Sequence, residues 1–466
     1  MRTAAAFLDL DRTLLTTSST SAFNQALFET GLMSKAGFPG QGLMMRFYEL
    51  AGETLPSMAL ARAAAPASRG KAVEEIAAAA RLGAELLEPE IAPFARHLLD
   101  GHRQAGRPLV LATTTPADLV RPLAEKLGFD DVVATRYASK DDAYGVRRYT
   151  GRVDGRFCWS VGKLAAVRRW ADDHGVDLRS SYAYSDSVYD LPLLTAVGHP
   201  TAVNPDYRLL PVAALRRWPI VHLDAPAGVP KFLGLELLDV VRLLFPRSAF
   251  PYARFDISGV ENIPRRGGVI VAANHRSYFD PIAISMALFD AGRHPRFLGK
   301  KEVFDAPIVG ALARAFGGIR VDRESNRGSG AAFEEARESV QCGEAVMILP
   351  QATIPRGEAF FAPSLKGRSG AARLAAATGA PVIPVGVWGS EHVWPRSSRL
   401  PNVTKILSPP TVTVRIGAPL AGLDGADASG DTVRIMDAIM ALLPPEAHIR
   451  HIPNPGEVAR AMPPGA

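Results

Sequence analysis

The chain of 466 residues is 47% apolar and 21% charged, carries a net charge of +6 and holds two cysteines. This composition excludes wholesale disorder and a disulfide scaffold, and the length exceeds what one hydrophobic core usually organises, so two domains or more are expected. No basic cluster interleaved with aromatics marks a nucleic-acid surface, and no charge-free apolar run reaches the roughly 18 to 20 residues that span a bilayer.

Residues 4–10 read as a short buried strand of the kind found in parallel sheets, with Asp9 and Asp11 standing at its end. The carboxylates arrive too early for a signal peptide. Residues 14–106 then show Ala- and Leu-rich helical periodicity. A second apolar run, 108–112, ends at Thr113. Gly162-Lys163 opens a helix over 164–174, and a fourth segment, 182–191, carries Ser185-Asp186-Ser187-Val188-Tyr189-Asp190. In an open α/β sheet such polar clusters meet at the carboxyl ends of the strands.

Phosphoryl chemistry can be assembled from these pieces. Asp9 can attack phosphorus to give an aspartyl-phosphate, and Asp11 can protonate the leaving oxygen and then activate water. Carboxylates of Asp9 and Asp186, with an oxygen near Asp11, make a hard site suited to Mg²⁺. Thr113 and Lys163 serve the phosphoryl oxygens, and Asp190 orients Lys163 or a metal water. Asp9-Leu10-Asp11-Arg12-Thr13, the Thr113 strand end, Gly162-Lys163 and the Asp186–Asp190 segment together resemble the four motifs of the haloacid dehalogenase superfamily, over about residues 4–210. The resemblance, strongest to the phosphoserine phosphatase-like branch, implies a Rossmann-like parallel sheet, a helical cap at about 14–106 and Mg²⁺-dependent phosphomonoester hydrolysis. True phosphoserine phosphatases carry a Glu seven residues after the second Asp. Ser18 holds that place here, so the substrate stays open.

Residues 216–250 read as a turn-rich linker followed by one amphipathic helix over 231–245. Glu236, Asp239 and Arg242 form its polar stripe, while Leu237, Leu238, Val241, Leu244 and Phe245 share a broad apolar face. Such a helix packs between domains or lies in a membrane interface.

A second α/β domain is expected over 251–443. Asn274-His275 follows an apolar strand, and Asp280 lies five residues beyond the His. Returned to the imidazole, Asp280 sets its tautomer, so that His275 can take a proton from an alcohol attacking a thioester. Arg323, Arg356 and Lys366 on later turns suit a phosphorylated acceptor. Asn274 through Asp280, Gly317 through Arg323 and Ala380 through Val385 resemble the first, second and fourth blocks of the glycerolipid acyltransferases, the 1-acylglycerol-3-phosphate type in particular. The third block usually reads Pro-Glu-Gly-Thr-Arg; here it is Pro350-Gln351-Ala352-Thr353-Ile354. The resemblance implies a lysophospholipid acceptor and acyl-CoA or acyl-carrier protein as donor.

A cytoplasmic enzyme, peripheral on an anionic membrane and with both signatures active, is therefore expected, its oligomeric state open. The competing accounts make the first domain a binding or regulatory module, or the second a lipid-binding one. Cys158 and Cys342 read as buried thiols, and residues after about 443 as a poorly ordered Pro-rich tail without chemistry.

Overall fold

A computed structural model of the chain describes residues 3–33, 54–226, 228–232, 234–305, 307–322 and 326–464. Two compact α/β units divide it, Met1–Ala227 and Gly228–Ala466.

The first unit is built on seven strands: β1 (Ala6–Leu8), β2 (Leu109–Pro116), β3 (Asp131–Asp141), β4 (Arg147–Asp154), β5 (Tyr182–Ser185), β6 (His199–Val203) and β7 (Ile220–Val221). Their order is β4-β3-β2-β1-β5-β6-β7, parallel apart from the β3–β4 hairpin. Central β1 is buried on both faces: Ala6 and Leu8 join one core with Leu109 and Leu111, while Phe7 joins the other with Val110 and Ala112. Its register pairs Leu8 with Leu111 and with Tyr184. The chain leaving β1 and β5 therefore emerges at one edge of the sheet. Helices Ser19–Glu29, Leu55–Ala67, Val73–Leu87 and Ala95–Gln104 fall in the segment expected to be helical. The first unit extends past the expected boundary at 215. Ile220–Val221 forms the edge strand, and buried Leu223 accepts a hydrogen bond from the Phe94 amide.

In the second unit the expected continuous helix over 231–245 is replaced by a small hairpin, Lys231–Phe232 (β8) with Leu235–Glu236 (β9), and a helix confined to Leu237–Leu244. Gly234 sits in the turn at φ +81°, a left-handed conformation that breaks a helix and that glycine adopts without strain. The polar stripe of the helix is anchored inside its own unit. Glu236 pairs with buried Arg296 at 2.8 Å and with His294 at 3.4 Å, His294 meets Asp239 at 2.8 Å, and Arg296 also reaches Glu344 at 2.9 Å. Burial pushes the Glu236 carboxyl up, but the hydrogen bonds and charges of His294 and Arg296 outweigh it and hold the group at about 2. Leu238 is buried, whereas Leu243 and Leu244 are 80% and 63% exposed.

The second sheet holds β10 (Arg254–Ser258), β11 (Val269–Ala273), β12 (Pro295–Lys300), β13 (Ile319–Val321), β14 (Ala345–Ile348), β15 (Val382–Trp388) and β16 (Thr411–Ile416). The order is β10-β16-β15-β11-β14-β12-β13, parallel apart from β15–β16. Again the central strand feeds two cores, with Val269, Val271 and Ala273 on one side and Ile270 and Ala272 on the other. The expected loose tail is instead packed structure. Residues Pro445–His448 and Pro455–Arg460 form helical turns, and Ala461 is buried against Ile354 and Phe360. Asn454 and Glu457 cap the last helix reciprocally, which gives the Pro-rich segment a firm start. Cys158 and Cys342 are buried thiols. Among the described residues no helix is long and apolar enough to cross a membrane.

Candidate active sites

At the edge where β1 and β5 end, Lys163 is fully buried and donates to Asp9 Oδ1 at 2.8 Å and to Asp190 Oδ2 at 2.6 Å. It reaches that edge from the helix Val161–Asp173. Gly162 is required beside it, because a Cβ there would lie 2.2 Å from the Phe157 carbonyl oxygen. Asp190 Oδ2 also accepts from Ser185 Oγ at 2.8 Å, while its buried Oδ1 has no hydrogen-bond partner. Thr13 Oγ1 accepts from the Asp186 amide at 3.0 Å and so ties the first motif to the fourth. Thr113 is buried in β2 and accepts from the Thr115 amide at 3.2 Å. The Asp11 carboxylate accepts from the Ser19 amide at the start of the helix Ser19–Glu29, and Ser18 caps that helix by accepting from Thr20.

Four of the residues expected to form this site, Asp9, Lys163, Asp186 and Asp190, are buried at the sheet edge. The three carboxylates outnumber the ammonium, an excess of negative charge that favours a cation. Among the described residues no cluster of three or more Asp, Glu, His or Cys side chains is arranged as a metal cage. Mg²⁺ is usually held by one or two carboxylates and keeps several waters, so Asp9 and Asp186 fit that ion.

In the second unit β11, β14 and β15 run parallel side by side, and their carboxyl ends gather the other site. Asn274 is buried and clamps β15, its Nδ2 donating to Val387 O at 2.8 Å and its Oδ1 accepting from Val387 N at 2.7 Å. Beside it, His275 Nδ1 meets Asp280 Oδ2 at 2.9 Å. That oxygen also accepts from the amides of Arg276 at 2.6 Å and Ser277 at 2.8 Å, while Asp280 Oδ1 accepts from Ser390 Oγ at 2.5 Å. Asp280 is wholly buried and held at both oxygens, so the Nδ1 side of the imidazole is fixed and Nε2 is the nitrogen available to substrate.

His275 lines two spaces. One is an apolar cavity of about 1550 Å³, walled by Tyr278, Ile282, Met286, Phe289, Phe297, Phe333, Ile348, Leu374 and Trp394, with Leu238, Val241 and Phe245 from the helix Leu237–Leu244. The other is a pocket of about 270 Å³ that includes Arg276, Gln351, Glu391 and His392 and is bounded by the folded tail at Ala447, His451 and Glu457. The Arg276 guanidinium is spoken for: it pairs with Glu391 at 2.7 Å and lies over the rings of Phe360 and Trp388 at 4.2 and 4.0 Å. Burial pushes the Glu391 carboxyl up, but Arg276 outweighs it and holds the group below its ordinary value.

The divergent third block has a local logic. Gln351 Oε1 accepts from the His275 amide at 2.6 Å, a bond that needs only an acceptor oxygen and that an amide supplies without charge. Ala352 takes φ +65°, where glycine is the unstrained residue. Ala352→Gly is therefore expected to raise the unfolding free energy of this unit by about 1 kcal/mol; denaturant melts of the two proteins check it, and a loss of stability contradicts it. Ile354 is buried with Phe360 and Ala461, so an arginine there would be sunk in a small apolar core. Arg356 and Lys366 are exposed and line neither space, and Arg323 lies outside the described residues.

Two contributors were not expected from the sequence. Ser390 lies two residues past the end of β15, and its position after a buried strand was the available signal. Arg396 is 6% exposed and lines the large cavity. Burial lowers its pKa, and repulsion from Arg356 acts in the same direction against an opposing contribution from Tyr278.

Comparison with known proteins follows the two units. The sequence profile of the haloacid dehalogenase-like hydrolases matches residues 6–195, and that of the acyltransferases matches residues 254–388. An inhibition of morphological differentiation protein from Streptomyces azureus is 36% identical over 48% of this chain and 79% of its own length. A histidinol-phosphatase from Neisseria meningitidis serogroup C is 32% identical over 47% of this chain and 97% of its own. The crystal structure of the 1-acyl-sn-glycerophosphate acyltransferase from Thermotoga maritima is 23% identical, covering 44% of this chain and 78% of that one at a TM-score of 0.35.

Proposed function

This chain belongs to the haloacid dehalogenase-like hydrolase family and carries an acyltransferase domain behind the hydrolase, and from that premise we propose a bifunctional enzyme that transfers an acyl chain to a 1-acyl-glycerol-3-phosphate-type lysophospholipid and hydrolyses a phosphomonoester. The observation that carries the reading is the His275–Asp280 pair at the wall of an apolar cavity of about 1550 Å³. That volume exceeds the roughly 300–1,000 Å³ of common small-molecule pockets and accommodates a long alkyl chain.

In the acyl transfer, His275 Nε2 takes the proton of the acceptor hydroxyl as its oxygen attacks the thioester carbonyl. Buried Asp280 stabilises the imidazolium, which then gives the proton to the departing thiolate. Acyl-CoA or acyl-carrier protein is the donor. In the phosphatase unit Asp9 attacks phosphorus as the ester oxygen leaves with a proton from Asp11. Asp11 then takes a proton from the water that attacks the aspartyl-phosphate, releasing phosphate and regenerating Asp9, while the Lys163 ammonium and Thr113 hydroxyl face the phosphoryl oxygens. Mg²⁺ would be held by Asp9 and Asp186 with an oxygen near Asp11, and it supplies charge neutralisation on the phosphoryl group.

Oleoyl-CoA and lysophosphatidate given to the purified full chain test the reading: stoichiometric release of CoA thiol and appearance of phosphatidate support it, and no transfer to lysophosphatidate overturns it. The enzyme works on a membrane surface, supported by exposed Leu243 and Leu244 on a helix whose other side lines the cavity. Leu243→Glu with Leu244→Glu is expected to abolish co-flotation with anionic liposomes while the isolated protein keeps its melting temperature. Undiminished flotation removes this helix from membrane binding.

A further inference from the structure

Arg396 stands on the loop that follows β15, beyond all four sequence blocks. It is 6% exposed, yet it helps to wall the same cavity as His275. Its Nη1 donates to the Pro355 carbonyl at 3.2 Å, which ties the guanidinium to the third-block loop. Its Nε is buried without a hydrogen-bond partner, and among the described residues no carboxylate pairs with it. A buried cation lacking a countercharge is strongly disfavoured unless an anion completes it. Burial sets Arg396 apart from the neighbouring cations: Lys300, Arg368 and Arg373 also line the cavity but are exposed, Arg276 is held by Glu391 and two aromatic rings, and Arg356 and Lys366 are exposed outside the cavity wall.

We propose that Arg396 binds the phosphate of the acyl acceptor, taking over from a third block that has a buried isoleucine at position 354. The proposal rests on the acyltransferase reading for the identity of the ligand, though not for the existence of an anion site. A guanidinium with free donors recognises a phosphate monoester by charge-assisted hydrogen bonds, and its place in the wall of the cavity that His275 also lines would hold the acceptor by its head while the alkyl chain fills the cavity. Acyl-CoA also carries phosphates, so acceptor and donor must be separated by experiment.

The full chain, Arg396→Gln and Arg396→Lys are titrated calorimetrically with dodecyl phosphonate, which cannot be hydrolysed, and with uncharged monolaurin. Phosphonate bound by the first unit is common to all three proteins. Arg396→Gln is expected to weaken the phosphonate about 10- to 100-fold, the range for a charge-assisted hydrogen bond, with monolaurin changed less than about 3-fold and Arg396→Lys in between. Melting temperature is expected to stay unchanged or rise. Equal weakening of both ligands, or no weakening of the phosphonate, overturns the proposal. In acyl transfer the KM for lysophosphatidate rises about tenfold or more and that for oleoyl-CoA stays level; the reverse pattern assigns Arg396 to the donor and also overturns it. If the phosphonate result holds and the wild-type chain transfers no acyl group, the anion site stands and the acyltransferase reading fails.

Discussion

His275→Ala is expected to lower acyl transfer to lysophosphatidate by about 10²- to 10⁴-fold, the range for losing a positioned general base. The effect is expected on kcat, because in the proposed mechanism the imidazole takes the proton of the reacting hydroxyl and otherwise only forms part of the cavity wall. Asp280→Asn is expected to fall nearly as far. Its two oxygens accept from His275 Nδ1, two backbone amides and Ser390. An amide has one acceptor oxygen for that set and presents N–H groups to the remainder, so the tautomer of His275 and the turn that carries it are both disturbed. Ser390→Ala removes a single bond to the carboxylate and is expected to cost about tenfold. Acyl transfer rates with oleoyl-CoA check the series. Retention of wild-type kcat by His275→Ala ends the general-base assignment.

Asp9→Asn is expected to lower phosphomonoester hydrolysis by at least about a thousandfold, because an amide cannot form the covalent intermediate. Lys163 keeps Asp190 as a partner at 2.6 Å, so the site is expected to remain folded. Mg²⁺-dependent release of phosphate from a panel of phosphomonoesters is the measurement. Turnover of any wild-type substrate at the wild-type rate by Asp9→Asn removes Asp9 as nucleophile.

The central strands and the residues at their ends were legible because fully buried parallel strands are short apolar runs that stop where polar function begins. Val269–Ala273 followed by Asn274-His275 is such a case. The β3–β4 hairpin was not legible: β4 is an edge strand rich in arginine and partly exposed, so it lacks the apolar signal. The break at Gly234 was hidden by the continuous apolar pattern on either side of it. The tail misled in the other direction, because proline content reads as disorder although a reciprocal cap and one buried alanine dock it on Ile354. Within the sites, pairs held by a short turn, such as His275 and Asp280, were visible as spacings. Ser390 and Arg396 lie more than a hundred residues away from His275 in the chain, and their approach depends on β15 lying beside β11. A spacing rule cannot report that Ser390 reaches Asp280 or that Arg396 shares a cavity with His275.

The account turns on two separate catalytic centres in one chain, and a crossed assay tests that most directly. Phosphate release and CoA thiol release are measured on the same preparations of wild type, Asp9→Asn and His275→Ala. The expected result is that Asp9→Asn loses hydrolysis and keeps acyl transfer, while His275→Ala does the opposite. Loss of both activities in either single variant, or loss of neither, contradicts the account.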